Sequence, residues 1–196
     1  MKMNWERAMK MNPELIKKTK CEKFKRGLVM WNCAVFVCLI VLLLYAGHAH
    51  AECGLSDERI AAYTERMAGV SEMILTTLRD HNVDERFIWL AAVESGGRFD
   101  AESDAGAVGL WQLTGATSTH YGCPANKRKE PKCSTLAAVR YIRKLSLRFS
   151  SNWDIIVAYN MGGSNYRRLG KPTNEARNLA NIVTCLMENV EWIKRE

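Results

Sequence analysis

The chain lacks the spacings that announce a metal centre. None of its seven cysteines stands in a C-x-x-C pair, and His48, His50, His81 and His120 are scattered with no H-E-x-x-H among them. Zinc-site signatures are therefore absent, and no metal or cofactor is expected. Strand-type alternation, internal repeats and low-complexity tracts are also missing, which removes the usual all-β and solenoid architectures. The third thing in short supply is charge imbalance in the body of the chain. Of 28 Lys/Arg and 21 Asp/Glu, nine and three fall in residues 1–27, leaving 19 against 18 over the remainder. The overall +7 is thus a property of the leader. A nucleic-acid partner loses its electrostatic support.

What is present divides in two. A basic start ending Lys23-Phe24-Lys25-Arg26 runs into an uncharged stretch from Gly27 to Ala51, whose apolar centre, residues 28–45, is 18 residues long. Ala49-His50-Ala51 follows, a small-x-small pattern suited to signal peptidase. Two readings fit: a signal cleaved after Ala51, or an uncleaved inner-membrane anchor with its basic side in the cytoplasm. Either one delivers residues 52–196 to the periplasm. No lipidation box precedes Cys53. Residues 1–51 are thus a targeting or anchoring region, and 52–196, with 47% hydrophobic content over the chain as a whole, are a single modest domain.

Four cysteines lie in that domain, an even count that suits disulfides in an exported protein. Cys123 and Cys133 bracket the polar loop PANKRKEP and pair on that ground. This leaves Cys53 with Cys185, although sequence alone permits three connectivities.

The domain reads as almost all helix. Ser56 suits an N-cap, and Ile60, Tyr63, Met67, Val70, Ile74 and Leu78 recur at helical spacing with a break at Gly69. Asp84 opens a central helix, Thr114 caps a short one to His120, and Ser134 caps another. Trp153 to Asn160 is an apolar helix ending at Gly162-Gly163, and a last helix runs from Asn174 to Ile193. Gly109-Leu110-Trp111-Gln112 reads as extended.

The chemistry concentrates between Phe87 and Tyr121. Seven apolar residues, Phe87 to Val93, lead directly to Glu94, and Ser95, Gly96 and Gly97 follow. Glu94 therefore sits at the C-terminal end of a buried helix. Apolar surroundings disfavour the ionised carboxylate, and the helix C-terminus, with its partial negative charge, is the wrong end for an anion. Both raise the pKa toward what a general acid needs near neutral pH. Arg98 is the nearest candidate to neutralise it. Glycines 96, 97, 106 and 109 let the backbone approach a ligand. Trp111 with Gln112, and Tyr159 with Asn160, add aromatic faces and amides of the kind that bind sugars.

Ala92-Val93-Glu94-Ser95-Gly96, the run SDAGAVGLWQ from Ser103 to Gln112, Thr117, and Ala158-Tyr159-Asn160-Met161-Gly162 resemble the ordered Glu-Ser, Gly-Leu-x-Gln and Ala-Tyr-Asn motifs of the soluble-lytic-transglycosylase (SLT) domain family. The resemblance spans about residues 83–189. It implies a mainly α, lysozyme-like domain. It implies also lyase cleavage of the MurNAc–GlcNAc β-1,4 bond of peptidoglycan with formation of 1,6-anhydro-MurNAc. Glu94 would be the sole acid/base, and Ser95, Gly109, Leu110, Gln112, Tyr159 and Asn160 would bind substrate. As a stand-alone domain the chain resembles specialised members that open the wall for secretion, conjugation or phage machinery. It departs from the family at Gly115, where proline is usual, and at Glu175-Ala176-Arg177-Asn178-Leu179, where Leu179 replaces a tyrosine. Two other readings stand beside this one: a hydrolytic muramidase using Asp100, Glu102 or Asp104 as second carboxylate, and a non-catalytic wall-binding scaffold.

Overall fold

The computed structural model describes residues 53–192, so the apolar segment 28–45 and the cleavage position after Ala51 lie outside the described residues. Among those described, the chain is mainly helical. Its helices are α1 (Asp57–Met67), α2 (Ser71–Asp80), α3 (Ile88–Ser95), α4 (Gly115–His120), α5 (Pro131–Ser146), α6 (Asn152–Met161), α7 (Gly163–Leu169) and α8 (Asn174–Asn189). Short 3₁₀ turns occupy Glu85–Phe87 and Ala125–Lys127. Extended pairing is limited to isolated bridges, Glu102 with Val108 and Val108 with Leu113. Among the described residues no helix is long and apolar enough to cross a membrane.

Side-chain caps fix four of the helix starts. Side-chain oxygens of Ser56, Thr114, Ser151 and Thr173 accept from backbone N–H groups in the first turns of α1, α4, α6 and α8. Each satisfies a donor that the helix itself leaves orphaned. The break after α1 falls at Ala68–Val70, around Gly69 as the spacing predicts.

Helix α3 is the element around which the others assemble. Ile88, Trp89, Leu90, Ala91 and Ala92 are all buried, so it is enclosed on every side, as a helix apolar all round must be. It packs against α8, α1 and α2. Helix α6 is the second buried rod: Ile155 to Tyr159 are five buried residues in succession, enclosed by α8, α7 and α5. At about 1.5–3 kcal/mol for each large apolar side chain fully withdrawn from water, these two rods anchor the core from which the polar tips at their ends project.

Two disulfides join Cys53 to Cys185 and Cys123 to Cys133. The first ties the start of the described chain to α8; the second closes the loop between α4 and α5.

Four features differ from the sequence expectation. Residues 109–112 form a turn, not an extended segment: Gln112 N–H donates to the Gly109 carbonyl at 3.1 Å, and Gly109 has φ +81°. Ser134 lies inside α5, not at its cap, because Pro131 starts the helix with a pre-set φ and no N–H to satisfy. Ser134 is buried and its hydroxyl donates back to the Glu130 carbonyl. Helix α7 follows Gly162 directly, so the glycine pair joins two helices with no intervening loop. Helix α8 stops at Asn189, short of Ile193; beyond it the Val190 carbonyl accepts from Trp89 Nε1 at 3.1 Å, and Trp192 meets the Trp89 ring edge-on. That tertiary contact outweighs the helical propensity of the sequence.

Loop length predicts unequal value for the two disulfides. Replacing Cys53 and Cys185 by Ser, which opens a separation of 132 residues, should cost at most about 5 kcal/mol in urea unfolding. Replacing Cys123 and Cys133 should cost nearer to about 3 kcal/mol.

Candidate active site

The last turn of α3 delivers Glu94 into a cleft of about 580 Å³. The helix can end there because Gly96 takes the left-handed conformation, φ +64°, which a residue with a Cβ adopts only at a cost. Arg98 does not neutralise the acid: its Nε donates to the Ser95 carbonyl at 3.2 Å, while Arg66 donates to the Gly96 carbonyl. Both cations thus satisfy the C-terminal carbonyls of α3, as expected near a helix C-terminus. Among the described residues no Lys or Arg pairs with Glu94.

Glu94 is half-buried and lines both the cleft and a smaller cavity on the α1 side. Protein replaces most of its hydration, and this burial pushes its pKa up to about 8, with the charge of Glu175 adding to the effect. Glu175 lines the same cleft from the first turn of α8. A carboxyl that keeps its proton at neutral pH and faces an open cleft can donate that proton to a leaving group.

Helix α6 brings Tyr159 and Asn160 to the same cleft. Tyr159 is buried, and its hydroxyl donates to the Trp111 carbonyl at 2.8 Å. Burial first, and then the nearby Glu94 charge, raise its pKa well above the ordinary phenol value. The phenol is a fixed neutral wall. Gln112 comes from the turn after Gly109. Its φ of +44° is uncommon for a residue with a side chain. Two hydrogen bonds hold it there, from Nε2 to the carbonyls of Ala101 (3.2 Å) and Gly109 (2.9 Å).

The structure brings together Glu94, Gln112, Tyr159 and Asn160, and it places three other predicted site residues elsewhere. Ser95 is buried and donates to the Ala91 carbonyl at 3.0 Å, away from the cleft lining. Leu110 is buried in the core. Gly109 supports the turn, and a Cβ there would overlap the Arg128 carbonyl oxygen. Trp111 offers no ring to a ligand: it is fully buried and its Nε1 donates to Thr135 Oγ1 at 2.9 Å. Its contribution is the backbone carbonyl that holds Tyr159. Asp100, Glu102 and Asp104 do not line the cleft, and Glu102 pairs with Lys129 at 2.7 Å.

Sequence reasoning missed two cleft residues. Glu175 was visible only as the first member of an imperfect motif. Tyr141, on α5, gave no signal, because it lies off the apolar stripe of its helix. Its ring sits between those of Tyr121 and Tyr159, at centroid separations of 5.0 and 5.2 Å, and its hydroxyl donates to the Ala158 carbonyl. Leu179, one turn after Glu175, is half-buried and packs against the core.

Similarity to known proteins falls on the same residues. The family model described as "Transglycosylase SLT domain" matches residues 72–181, a span that contains every cleft residue named above. Two curated relatives, both called membrane-bound lytic murein transglycosylase D, come from Escherichia coli strains K12 and O6:H1. Each is 31% identical over 105 residues, covering 51% of this chain and 23% of its own length. The chain thus spans about a quarter of the length of the curated relatives it matches.

The raised pKa carries a stability consequence. A carboxyl whose folded pKa lies above its unfolded value of about 4.3 binds more protons in the native state, so the fold loses stability as pH rises between the two values. Glu94→Gln removes that loss. Its advantage over the wild type should be negligible below about pH 4 and grow to the order of 2–4 kcal/mol above pH 8, after discounting for cleft water. Thermal unfolding of the two proteins across pH checks this. Parallel curves would contradict the raised pKa.

Proposed function

The chain belongs to the transglycosylase SLT-domain family, and from that membership we propose that it is a peptidoglycan lytic transglycosylase acting in the cell envelope. The single observation that carries the proposal is Glu94, an unpaired carboxyl with a pKa of about 8 inside a sugar-sized cleft. The bond cut is the β-1,4 linkage from MurNAc to GlcNAc. Glu94 gives its proton to the glycosidic oxygen as the C1–O bond breaks, and the N-acetyl carbonyl oxygen of the same MurNAc supports the electron-poor C1. The Glu94 carboxylate then takes the proton from the MurNAc C6 hydroxyl while O6 bonds to C1. The product is a 1,6-anhydro sugar, Glu94 is protonated again, and no water is consumed. Such substrate assistance is a known departure from two-carboxylate glycosidases.

The surrounding groups suit that sequence. Burial holds the proton on Glu94 until the leaving oxygen needs it. Gln112 and Asn160 offer amides to sugar hydroxyls or to the N-acetyl group. Residues 52–196 are the exported catalytic unit, and residues 1–51 direct or anchor it. Service to a secretion, conjugation or phage assembly is the corresponding cellular role.

A hydrolytic muramidase is the second reading, and Glu175 is the observation that favours it. This carboxylate faces the cleft and could activate water. The products separate the two: anhydro ends for the lyase, reducing ends for the hydrolase.

On purified sacculi the wild type should release 1,6-anhydro muropeptides, identified by mass spectrometry. Glu94→Gln should retain its fold by circular dichroism while its rate falls at least about 10²–10⁴-fold, the span usual for losing a general acid. Undiminished cleavage by this variant would end the assignment. A wild type that leaves sacculus turbidity unchanged would instead point to a wall-binding scaffold.

A further inference from the structure

The near-neutral charge of residues 52–196 conceals a division. Between Pro131 and Asn174 the chain carries eight Lys/Arg and one acid, Asp154; the other positions of residues 52–196 carry eleven Lys/Arg and seventeen Asp/Glu. The segment that spans α5 to α7 is therefore strongly cationic, whereas the cleft it flanks holds Glu94 and Glu175.

Part of this basic charge is gathered beside the cleft. A second cavity, of about 350 Å³, shares Tyr141 and Gly162 with the cleft as common wall. It is bounded by Lys144 on α5 and Arg148 just after it, by Asn165 on α7, and by Tyr121. No carboxylate lines it. Lys144 and Arg148 are exposed and, among the described residues, form no ion pair. Asp154, the one acid of the segment, accepts instead from the hydroxyls of Tyr166 and Ser151. Arg148 and the half-buried Tyr121 line the same cavity, and the guanidinium charge opposes the upward push of burial on the phenol. The rings of Tyr159, Tyr141 and Tyr121 form a row along the shared wall of cleft and cavity, with neighbouring centroids 5.0–5.2 Å apart.

The cavity is thus open, cationic and contiguous with the site of bond cleavage. If the cleft holds peptidoglycan, as proposed above, its glycan backbone is uncharged. The anionic groups of that polymer are the carboxylates of the short peptides carried on the lactyl ether of each MurNAc. We propose that the cavity walled by Lys144, Arg148, Tyr121 and Tyr141 is a subsite for these peptide stems. Lys144 and Arg148 then pair with stem carboxylates, the tyrosine row supports the apolar part of the peptide, and the enzyme favours strands that still bear their peptides. The proposal rests on the transglycosylase reading and adds a determinant of substrate choice.

The test compares glycan strands carrying their stems with the same strands stripped by an amidase, using wild type and a K144E/R148E variant. Both positions are exposed and touch neither Glu94 nor the residues that hold it. At low salt the wild type should show a kcat/KM about fivefold higher on stem-bearing strands, the scale that two partly exposed charge pairs supply. The advantage should shrink as salt rises. The variant should lose the preference and its salt dependence yet match the wild type on stripped strands. Equal wild-type rates on both substrates, or a preference that survives charge reversal, would overturn the subsite while leaving the lyase intact. Failure of the wild type to cut either substrate would remove both proposals.

Discussion

A single desolvated carboxyl sets the terms for this structure. Glu94 is carried on a helix that exposes almost nothing else, and no described cation is within pairing distance. A buried acid without a partner is costly when ionised, so the fold holds it protonated. The arginines nearest in sequence and space, Arg98 and Arg66, are drawn to the carbonyls that end α3. They cap the helix without discharging the acid. Glu175, in the same cleft, adds a like charge that pushes in the same direction as burial.

The rest of the core keeps that carboxyl in place. Helix α8 packs along both buried rods, α3 and α6, and is joined to the start of the described chain through Cys53–Cys185. Their shared packing on α8 fixes the relation between Glu94, at the end of one, and Tyr159 and Asn160, at the end of the other. The third contributor is the turn that holds Gln112. A positive φ at a residue with a side chain costs of order 1–3 kcal/mol. At Gln112 it is held by hydrogen bonds from the same side chain. Backbone strain, an unpaired acid and a phenol committed to a backbone carbonyl all meet at one cleft. That concentration of local cost is typical of a site shaped for chemistry.

Much of this was legible in the sequence. An apolar run interrupted by one acid and followed at once by glycines gave the buried helix, its end and the raised pKa. Cap residues gave the starts of α1 and α4, and Asp84 that of the 3₁₀ turn leading into α3. What stayed hidden depends on contacts between distant residues. Trp111 looked like a ring for sugar, yet its indole fills the core and only its carbonyl serves the site. Ser95, Gly109 and Leu110 belong to the same motifs as the cleft residues but support the backbone behind them. Tyr141 reaches the cleft from a helix whose local pattern said nothing of it, and Glu175 showed only as the start of an imperfect motif, because helix packing decides which off-stripe side chains meet. The end of α8 likewise answers to Trp89, about a hundred positions away in the chain.

The central claim is the protonation of Glu94, and it can be observed without any substrate. A carbon-detected NMR titration of the Glu94 side-chain carboxyl should give a midpoint near pH 8, lowered when Glu175 is replaced by Gln. A midpoint close to 4.5, the ordinary value for a glutamate, would mean that the carboxyl is hydrated and ionised at neutral pH. Glu94 could then not serve as the proton donor, and the claim would be contradicted.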